Sequence, residues 1–543
     1  MTTHCLVLLP IHLVDIDTLI ISLQQKVSLD TLTNLSDIYI IEEPVYFGER
    51  ESKLNFNKLK LIYHRASSKC YNDYLQSKTT IKKLNDLFND KSQSNPQSTP
   101  QSTIKVSYLN YHELKTKSSY SSISKHSRIY MFDPVDTYLE TKYYKLFKSK
   151  LYYLDSPLFL CSNKDLEDYH KTKPNSNSYT HVSFYNWQKE RLDILKDSKS
   201  YDTENRNKMP LDTKVPPLPK NDAKLNTKPN AKSNPYLVEA IAYIETHFST
   251  NLEPLYVSEG KQITPESIHF PITHKTSIEW LEHFCKHRLE EFGIYEDSID
   301  SVPRNFLFHS TISPMLNIGL ITPEQVVKIV SNYYTKNKHI SISTYEGFIR
   351  QVIGWREYQR YIYKYIGNKM RTSNHFNNTH TLSPEWYKAT TTIKPVDDAI
   401  MMAMNDGYIH HILRLMVVGN FMNLVGIHPD EVYKWFMEFA VDSYDWVMIG
   451  NVYSMALWAD GGMTMRKPYI SGDGYIMKMG NYKKKGEWNT LWNAVFHHFI
   501  DRNTKKLSST YYNGIVKAWA RKTQSEKDKE LTTANNFIKK ITN

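Results

Sequence analysis

Two stretches of the chain hold side chains whose types and spacing suit chemistry. In "NDGYIHHILRLMVVGNF" (405–421) two adjacent histidines head an apolar run of helical period. Neighbours on a helix point about 100° apart. One ring of the pair His410 and His411 can therefore join the packed face formed with Leu415 and Val418. The other points elsewhere, so that either the pair is a structural accident of a helix start or one ring faces a cavity where an imidazole could move a proton. In "FHSTISPMLNIG" (308–319), Ser310, Thr311 and Ser313 cluster hydroxyls before Pro314, with Ser313 placed to cap a helix and the proline in its first turn. Hydroxyls and free N–H groups at the positive end of a helix dipole make a seat for a diphosphate. An ordinary capped helix is the competing reading. A third stretch, "GFIRQVIGWREYQRYIY" (347–363), sets Arg350, Gln351, Trp355, Arg356, Glu357 and Tyr358 on one helix, where internal ion pairs and packing compete with ligand binding.

The elements around these residues must form more than one core, because 543 residues suggest two or three domains. Up to about residue 180, short apolar runs alternate with longer amphipathic ones. "CLVLLPI" (5–11), "DIYIIEE" (37–43), "TIKVSYL" (103–109), "SRIYMFD" (127–133) and "LYYLDSPLFL" (151–160) read as strands. "DIDTLIISLQQKV" and "PVDTYLETKYYKLFKSK" read as helices, so a parallel sheet covered by helices is expected over 1–180. No G-x-G-x-x-G opens one of these helices, which argues against an ordinary dinucleotide site there. The polar run 89–103 reads as a loop. Residues 181–236, rich in Pro, Lys and Asn from 210, read as an inter-domain linker crossing the surface. From 237 to 502 the period is helical almost throughout, predicting a helical domain large enough to bury a sizeable ligand. The polar segment 503–543 reads as a charged peripheral tail helix.

A net charge of +11 suits a polyanionic partner, although AT-rich coding also yields lysine. Four isolated cysteines, Cys5, Cys70, Cys161 and Cys285, give neither a disulfide framework nor a zinc pattern. The N-terminal apolar run is too short for a signal peptide, and no run reaches membrane-spanning length. An intracellular soluble protein acting as a monomer, in the cytoplasm or wherever the genome is held, is expected.

The spacing S-x-x-S-P at 310–314, followed by R-Q at 350 and W-R-E-Y at 355, resembles the flavin domain of the cryptochrome/photolyase family. "SYDTENRNKMP" (200–210), the His–His helix with "GIHPDEVYKWF", and "WVMIGNVYSMALWADGGMTMRKPYISGDGYIMKM" (446–479) look like one branch, the bacterial-type (6-4) photolyases, also called iron–sulfur bacterial cryptochromes and photolyases. The resemblance runs from the N-terminal sheet to about residue 500 and is densest over 304–480.

The resemblance implies a bent FAD buried in the helical domain. Ser310, Thr311, Ile312 and Ser313 would hold its diphosphate, and Arg350 would lie along it. Trp355, Asp442, Met448 and Asn451 would line its pocket, with Asp442 accepting hydrogen bonds from the flavin or ribityl side. His411 would be the general acid toward a (6-4) lesion, and His410 its orienting partner. Trp435, Tyr444 and Trp386 occupy positions of an electron relay from the surface, with core packing as the alternative. Gln351, Met455, Tyr469 and Tyr475 would contact the lesion, and Arg466 and Lys467 the phosphates of UV-damaged DNA. Relatives often hold a ribityl-lumazine antenna in the N-terminal domain, where Glu42 or Glu43 would meet it. A charged strand end facing solvent is the competing reading.

Two departures qualify the resemblance. The branch holds an iron–sulfur cluster on four cysteines, which here would fall near "IKPVDD" (393–398) and in "NYKKKGEWNTLW" (481–492), where no cysteine stands. The cluster is expected to be absent, with Lys483–Lys485, Trp488 and Trp492 filling the space. Met448 stands where relatives carry an acidic group beside flavin N5. Light-driven (6-4) repair is the first reading. A flavin photoreceptor without repair activity, a cyclobutane-dimer photolyase and a DNA-binding relic are the alternatives.

Overall fold

The computed structural model describes residues 3–27, 34–89, 104–114, 116–173, 179–196, 200–201, 205–222, 233–301, 306–483 and 486–543. Most of the loop expected over 89–103, and the centre of the expected linker, lie outside the described residues.

Five strands form one parallel sheet in the order β3-β2-β1-β4-β5, with β1 His4–Leu8, β2 Leu35–Ile41, β3 Lys105–Leu109, β4 Arg128–Phe132 and β5 Leu151–Leu154. Every residue of β1, "HCLVL", is buried, as a central parallel strand covered on both faces requires. Edge strand β5 leaves Tyr152 and Tyr153 exposed. All five expected strands and both expected helices form, the latter as Ile16–Lys26 and Thr137–Phe147. The strands stop short of the apolar runs: β1 ends before Pro10, which has no N–H for a ladder. The remainder of the chain is mostly helical, giving a Rossmann-like α/β unit followed by a large helical domain.

A 19-residue helix, Lys58–Gln76, is absent from the sequence reading because its buried face carries Lys58, Lys60, His64 and Arg65. Those groups are paired across the chain. Lys58 Nζ meets Glu245 and Glu253 at 2.9 Å, and Arg65 meets Glu239. Lys60 Nζ donates to Met437 O and Ser443 O, at 2.8 and 2.9 Å. The sheet unit is thereby clamped onto the helical domain.

Two boundaries need correction. The first part of the expected linker, His181–Leu192, is a helix packed against the 350–356 segment, where a Cβ on Gly354 would come within 2.8 Å of Tyr185. Asp222, further along it, is buried and accepts from Ile272 N at 2.7 Å. The expected peripheral tail is docked as well. Helix Gln524–Ile541 buries Phe537, Ile538 and Ile541, and Ile541 O accepts the Trp386 indole N–H at 2.8 Å. Its exposed face carries the charge that made it read as solvated. No helix among the described residues is long and apolar enough to cross a membrane.

Candidate functional site

Three π-helical stretches converge in the helical domain: Arg350–Arg356, Leu413–Gly419 and Ile449–Ala456. A π-turn widens the helix and is retained mostly where function needs the altered side-chain directions. All three border one cavity with two lobes, of about 250 and about 900 Å³. The lobes share Ser310, Gln351, Trp355, His411 and Met455 in their walls, and the larger falls in the size range of small-molecule sites.

The smaller lobe is floored by a buried ion pair. Arg414 reaches Asp442 with both terminal nitrogens, at 2.9 and 3.1 Å, and its Nε donates to Ile409 O. The Ser313 hydroxyl donates to Asp442 Oδ2 at 2.7 Å, and Asn317 Nδ2 to the Asp442 carbonyl at 2.9 Å. Of a carboxylate's roughly four acceptor positions, three are used, which leaves Oδ1 room for one further donor. Met448 and Asn451 line the same lobe, and the Trp355 indole N–H donates to Asn451 Oδ1 at 3.2 Å. Ile312 borders this lobe, Thr311 and Arg350 only the larger one.

Polar atoms without partners mark the wall. Gln359, on the next turn after Arg356, has neither amide oxygen nor nitrogen hydrogen-bonded among the described residues. Its amide lies so close over Gly450 that any β-carbon there would collide with it. Arg356 is buried between the rings of Phe159 and Trp446, 4.6 and 4.7 Å from their centres. One guanidinium nitrogen donates to Leu158 O and Leu316 O, while Nε and Nη1 have no partner among the described residues. Desolvation draws its pKa down to about 10, still well above neutral. A buried cation with unused donors asks for an anion.

The expected diphosphate seat is corrected in its mechanism. The helix after it, Ser313–Ile318, has only six residues, starts after Ile312, and has no side-chain cap. Ser313 serves Asp442 instead of capping. The Thr311 hydroxyl donates to Ser310 O and accepts the Trp280 indole N–H at 3.2 Å. Phe306, Leu307 and Thr311 all have φ between 52° and 59°, the left-handed region that non-glycine residues seldom adopt. The held, strained loop brings Ser310 to both lobes.

The histidine pair divides its work. His411 is the first helical residue and lines both lobes, its accessible surface facing the cavity. Burial, with Arg414 nearby, brings its pKa down to about 4. His410 precedes the helix, is buried, and lines neither lobe. It stacks on His309 at 4.5 Å and 12°, and desolvation, His309, His411 and Arg414 hold its pKa well below the usual imidazole value. Its Nδ1 has no partner among the described residues.

Of the expected lesion contacts, Gln351 and Met455 line both lobes, and Lys467, Tyr469 and Tyr475 the larger one. Tyr475 donates to Asp297 at 3.3 Å. Arg466 is exposed and outside both walls. The relay expectation is corrected, because none of its members reaches the surface. Trp386 and Trp435 are fully buried, and the Trp435 indole donates to Trp386 O at 2.9 Å. Trp435 meets the cavity through Phe436, whose ring lies 5.1 Å away. Tyr444 belongs to a separate cluster with Tyr46 and His64.

Glu42 and Glu43 are corrected too. Both are fully buried rather than at a solvent-facing strand end. Glu42 accepts from Arg65 at 2.8 and 2.9 Å, from Tyr108 at 2.6 Å and from Tyr111 N at 2.8 Å. Glu43 pairs with Lys142 at 2.5 Å, accepts from Val45 N, and meets the Tyr120 and Tyr143 hydroxyls. Acceptors this fully used do not fit a direct antenna contact.

The two segments where relatives would hold a cluster lie together, joined by the Tyr482 hydroxyl on Asp398 at 3.0 Å. Trp488 and Trp492 are buried there edge to face at 6.2 Å, and Lys483 is exposed. Lys484 and Lys485 lie outside the described residues. Phenol, indole and one carboxylate do not fit an iron–sulfur cluster, which needs thiolates. No group of three or more His, Cys, Asp or Glu among the described residues is arranged to hold a metal ion.

Sequence reasoning missed Arg414, Gln359 and His309, and singled out Arg356 only as one residue of a helix whose role stayed open. Arg414 left a signal, being a charge inside the apolar run "HHILRLMVVGN".

Comparison with known proteins agrees with this architecture. The model of a family described as deoxyribodipyrimidine photo-lyase-related protein matches residues 19–252. The chain is 33% identical over 286 residues to a (6-4) photolyase of Agrobacterium fabrum, a match covering 51% of this chain and 56% of that protein, so it spans only about half of that relative. It is 57% identical over 92 residues to uncharacterized protein R855 of Acanthamoeba polyphaga mimivirus, 17% of this chain and 75% of that one. Among solved structures, a bacterial class III photolyase from Agrobacterium tumefaciens shares the fold with TM-score 0.51 and 14% identity, covering 99% of this chain and 98% of that one. A Synechocystis sp. PCC6803 cryptochrome shares it with TM-score 0.50 and 12% identity, covering 99% of each. The chain shares the fold of these photolyase and cryptochrome structures, and its residues 19–252 match the photo-lyase-related family.

Proposed function

We propose that the chain is an FAD-dependent photolyase that uses blue or near-UV light to reverse (6-4) pyrimidine–pyrimidone photoproducts in DNA. The observation that carries this reading is the two-lobed cavity, with an unsatisfied buried cation, Arg356, on one lobe and His411 at the junction with the other. When bound and reduced, FAD supplies an excited-state electron to the lesion and accepts one back. The chain's own residues do the rest. Arg356, Ser310 and Arg350 offer positive charge and hydroxyl to the diphosphate, and the spare position on Asp442 Oδ1 takes a donor from the cofactor. Trp355, Phe348 and Met455 exclude water between the lobes. Met448 brings no proton to the flavin ring, since a thioether has none to give. The unmatched Gln359 amide, both donor and acceptor, suits a flavin edge better.

His411, at about 4, is neutral at pH 7 in the cavity as described. Negative charge arriving beside it, from the cofactor and the substrate, raises an imidazole pKa. The ring is thus set to hold a proton once the site is loaded and to pass it to the lesion as general acid. His410, locked against His309, keeps the neighbouring ring aimed at the cavity. We assign no step to an iron–sulfur cluster. The saturated carboxylates of Glu42 and Glu43 give a ribityl-lumazine antenna no contact there.

The test is illumination of the flavin-loaded protein with oligonucleotides carrying one defined (6-4) photoproduct or one cyclobutane dimer. Restoration of the former alone is expected. Restoration of the dimer alone would replace the lesion assignment. Restoration of neither, with reversible photoreduction of the flavin, would leave the photoreceptor reading.

A further inference from the structure

The rim of the larger lobe carries an aromatic side chain from the C-terminal segment, beyond the stretch that resembles the family. Tyr511 is 79% exposed, the highest value for a large hydrophobic side chain among the described residues. The segment that carries it is nonetheless anchored. The adjacent Tyr512 is buried, and its hydroxyl donates to Ile470 O at 2.7 Å and accepts from Ile470 N at 3.3 Å. The two tyrosine rings meet edge to face at 5.8 Å. Helix Asn513–Ala520 then carries Ile515 to the same rim. On the other side of the ring, Lys467 Nζ lies 4.9 Å from the Tyr511 centroid, and Lys467 and Arg466 are exposed. The rim carboxylates are both engaged, Asp297 by the Tyr475 hydroxyl at 3.3 Å and Arg206 at 3.9 Å, and Glu296 by Arg206 at 3.4 Å. The free charge beside the ring is therefore positive.

A ring held out to water from an anchored segment, beside a lysine at the mouth of a cavity, combines a flat face for a base with a charge for its phosphate. A base drawn into the cavity leaves its neighbour in the strand unstacked at the mouth. We propose that Tyr511 is the stacking platform for the nucleobase flanking the extruded lesion, with Lys467 on the phosphate of that same nucleotide. This rests on the repair reading for its ligand, a damaged DNA strand, but is measured without light.

The experiment uses the full chain in the dark with a duplex carrying one (6-4) photoproduct flanked by 2-aminopurine, read by binding and by fluorescence quenching. Tyr511→Ala should raise Kd roughly 5- to 150-fold and abolish the quenching, with the salt dependence of binding unchanged. Tyr511→Phe keeps the face and should bind and quench like wild type. Lys467→Ala should lower the slope of log Kd against log salt by about one. Tyr511→Ala binding within twofold of wild type overturns the platform, as does Tyr511→Phe losing as much as Tyr511→Ala. A wild-type chain that binds the duplex without quenching, as an acidic-peptide site would, also overturns it. Binding and quenching by a chain that repairs nothing would uphold the platform and overturn only the repair reading.

Discussion

Two buried polar clusters of this molecule look alike in composition and differ in satisfaction. At the end of β2, Glu42 and Glu43 are surrounded by Arg65, Lys142, three tyrosine hydroxyls and backbone N–H groups, and their acceptor capacity is spent. Around the cavity, Asp442 and Arg414 are paired, yet Gln359, Arg356 and His410 keep polar atoms without partners. An orphaned buried polar atom costs about 1–3 kcal/mol, so a saturated cluster stabilises the fold while an unsaturated one awaits a ligand. The difference separates the sheet unit's structural acids from the helical domain's site.

Substitutions can break this contrast. The largest effect is expected from His411→Ala, which should lower the rate of lesion reversal roughly 10²- to 10⁴-fold while leaving FAD content and melting temperature near wild type. An equal loss of bound FAD would instead make His411 a cofactor-holding residue. Next comes Glu42→Ala, which leaves Arg65 to Glu239 and takes the acceptor from the Tyr108 hydroxyl and the Tyr111 N–H. A loss of about 1–3 kcal/mol for each orphaned group is expected in denaturant unfolding, with FAD per folded chain unchanged. Unchanged stability would remove the structural half of the comparison.

Acid should weaken both regions. Burial lowers the pKa of His12, His64 and His309 to about 3. Between those values and the unfolded value near 6.5, the unfolded chain binds more protons. Stability is therefore full above about pH 6.5 and falls as pH drops toward 4. Lys60, lowered to about 7 by burial, acts on the alkaline side, its contribution rising from about pH 7 toward the ordinary lysine range. Unfolding midpoints across pH 4–9 check both signs, and a flat acid limb would contradict the buried neutral histidines. The smallest effect is expected from Gln359→Leu. Without flavin it should leave stability unchanged or raised by about 1 kcal/mol, because it removes unpaired polar atoms. With flavin it should weaken binding about tenfold, measured by FAD titration.

The same contrast explains what could be read from the chain beforehand. Runs such as "HCLVL" and "RIYMF" announce central strands because both faces are apolar. Helix Lys58–Gln76 stayed hidden because its inward face is cationic and is neutralised by Glu239, Glu245 and Glu253, almost two hundred residues away. His411 was legible from its neighbours and its motif. Gln359 was not, and Arg356 was named without its role, since a buried, unsatisfied guanidinium or amide is a property of three-dimensional surroundings. Glu42 and Glu43 read as an antenna contact or as exposed strand-end charge because nothing local reveals Arg65 or Lys142. The docked C-terminal helix was misread for the same reason, its buried Phe537 and Ile538 being few among many charges.

The central claim is that the unsatisfied cavity holds a flavin nucleotide, and the absorption spectrum of the purified chain after reconstitution with FAD tests it most directly. Stoichiometric retention of flavin bands through gel filtration is predicted, reduced in an Arg356→Met variant that remains folded. A folded chain that stays colourless with excess FAD would contradict the account.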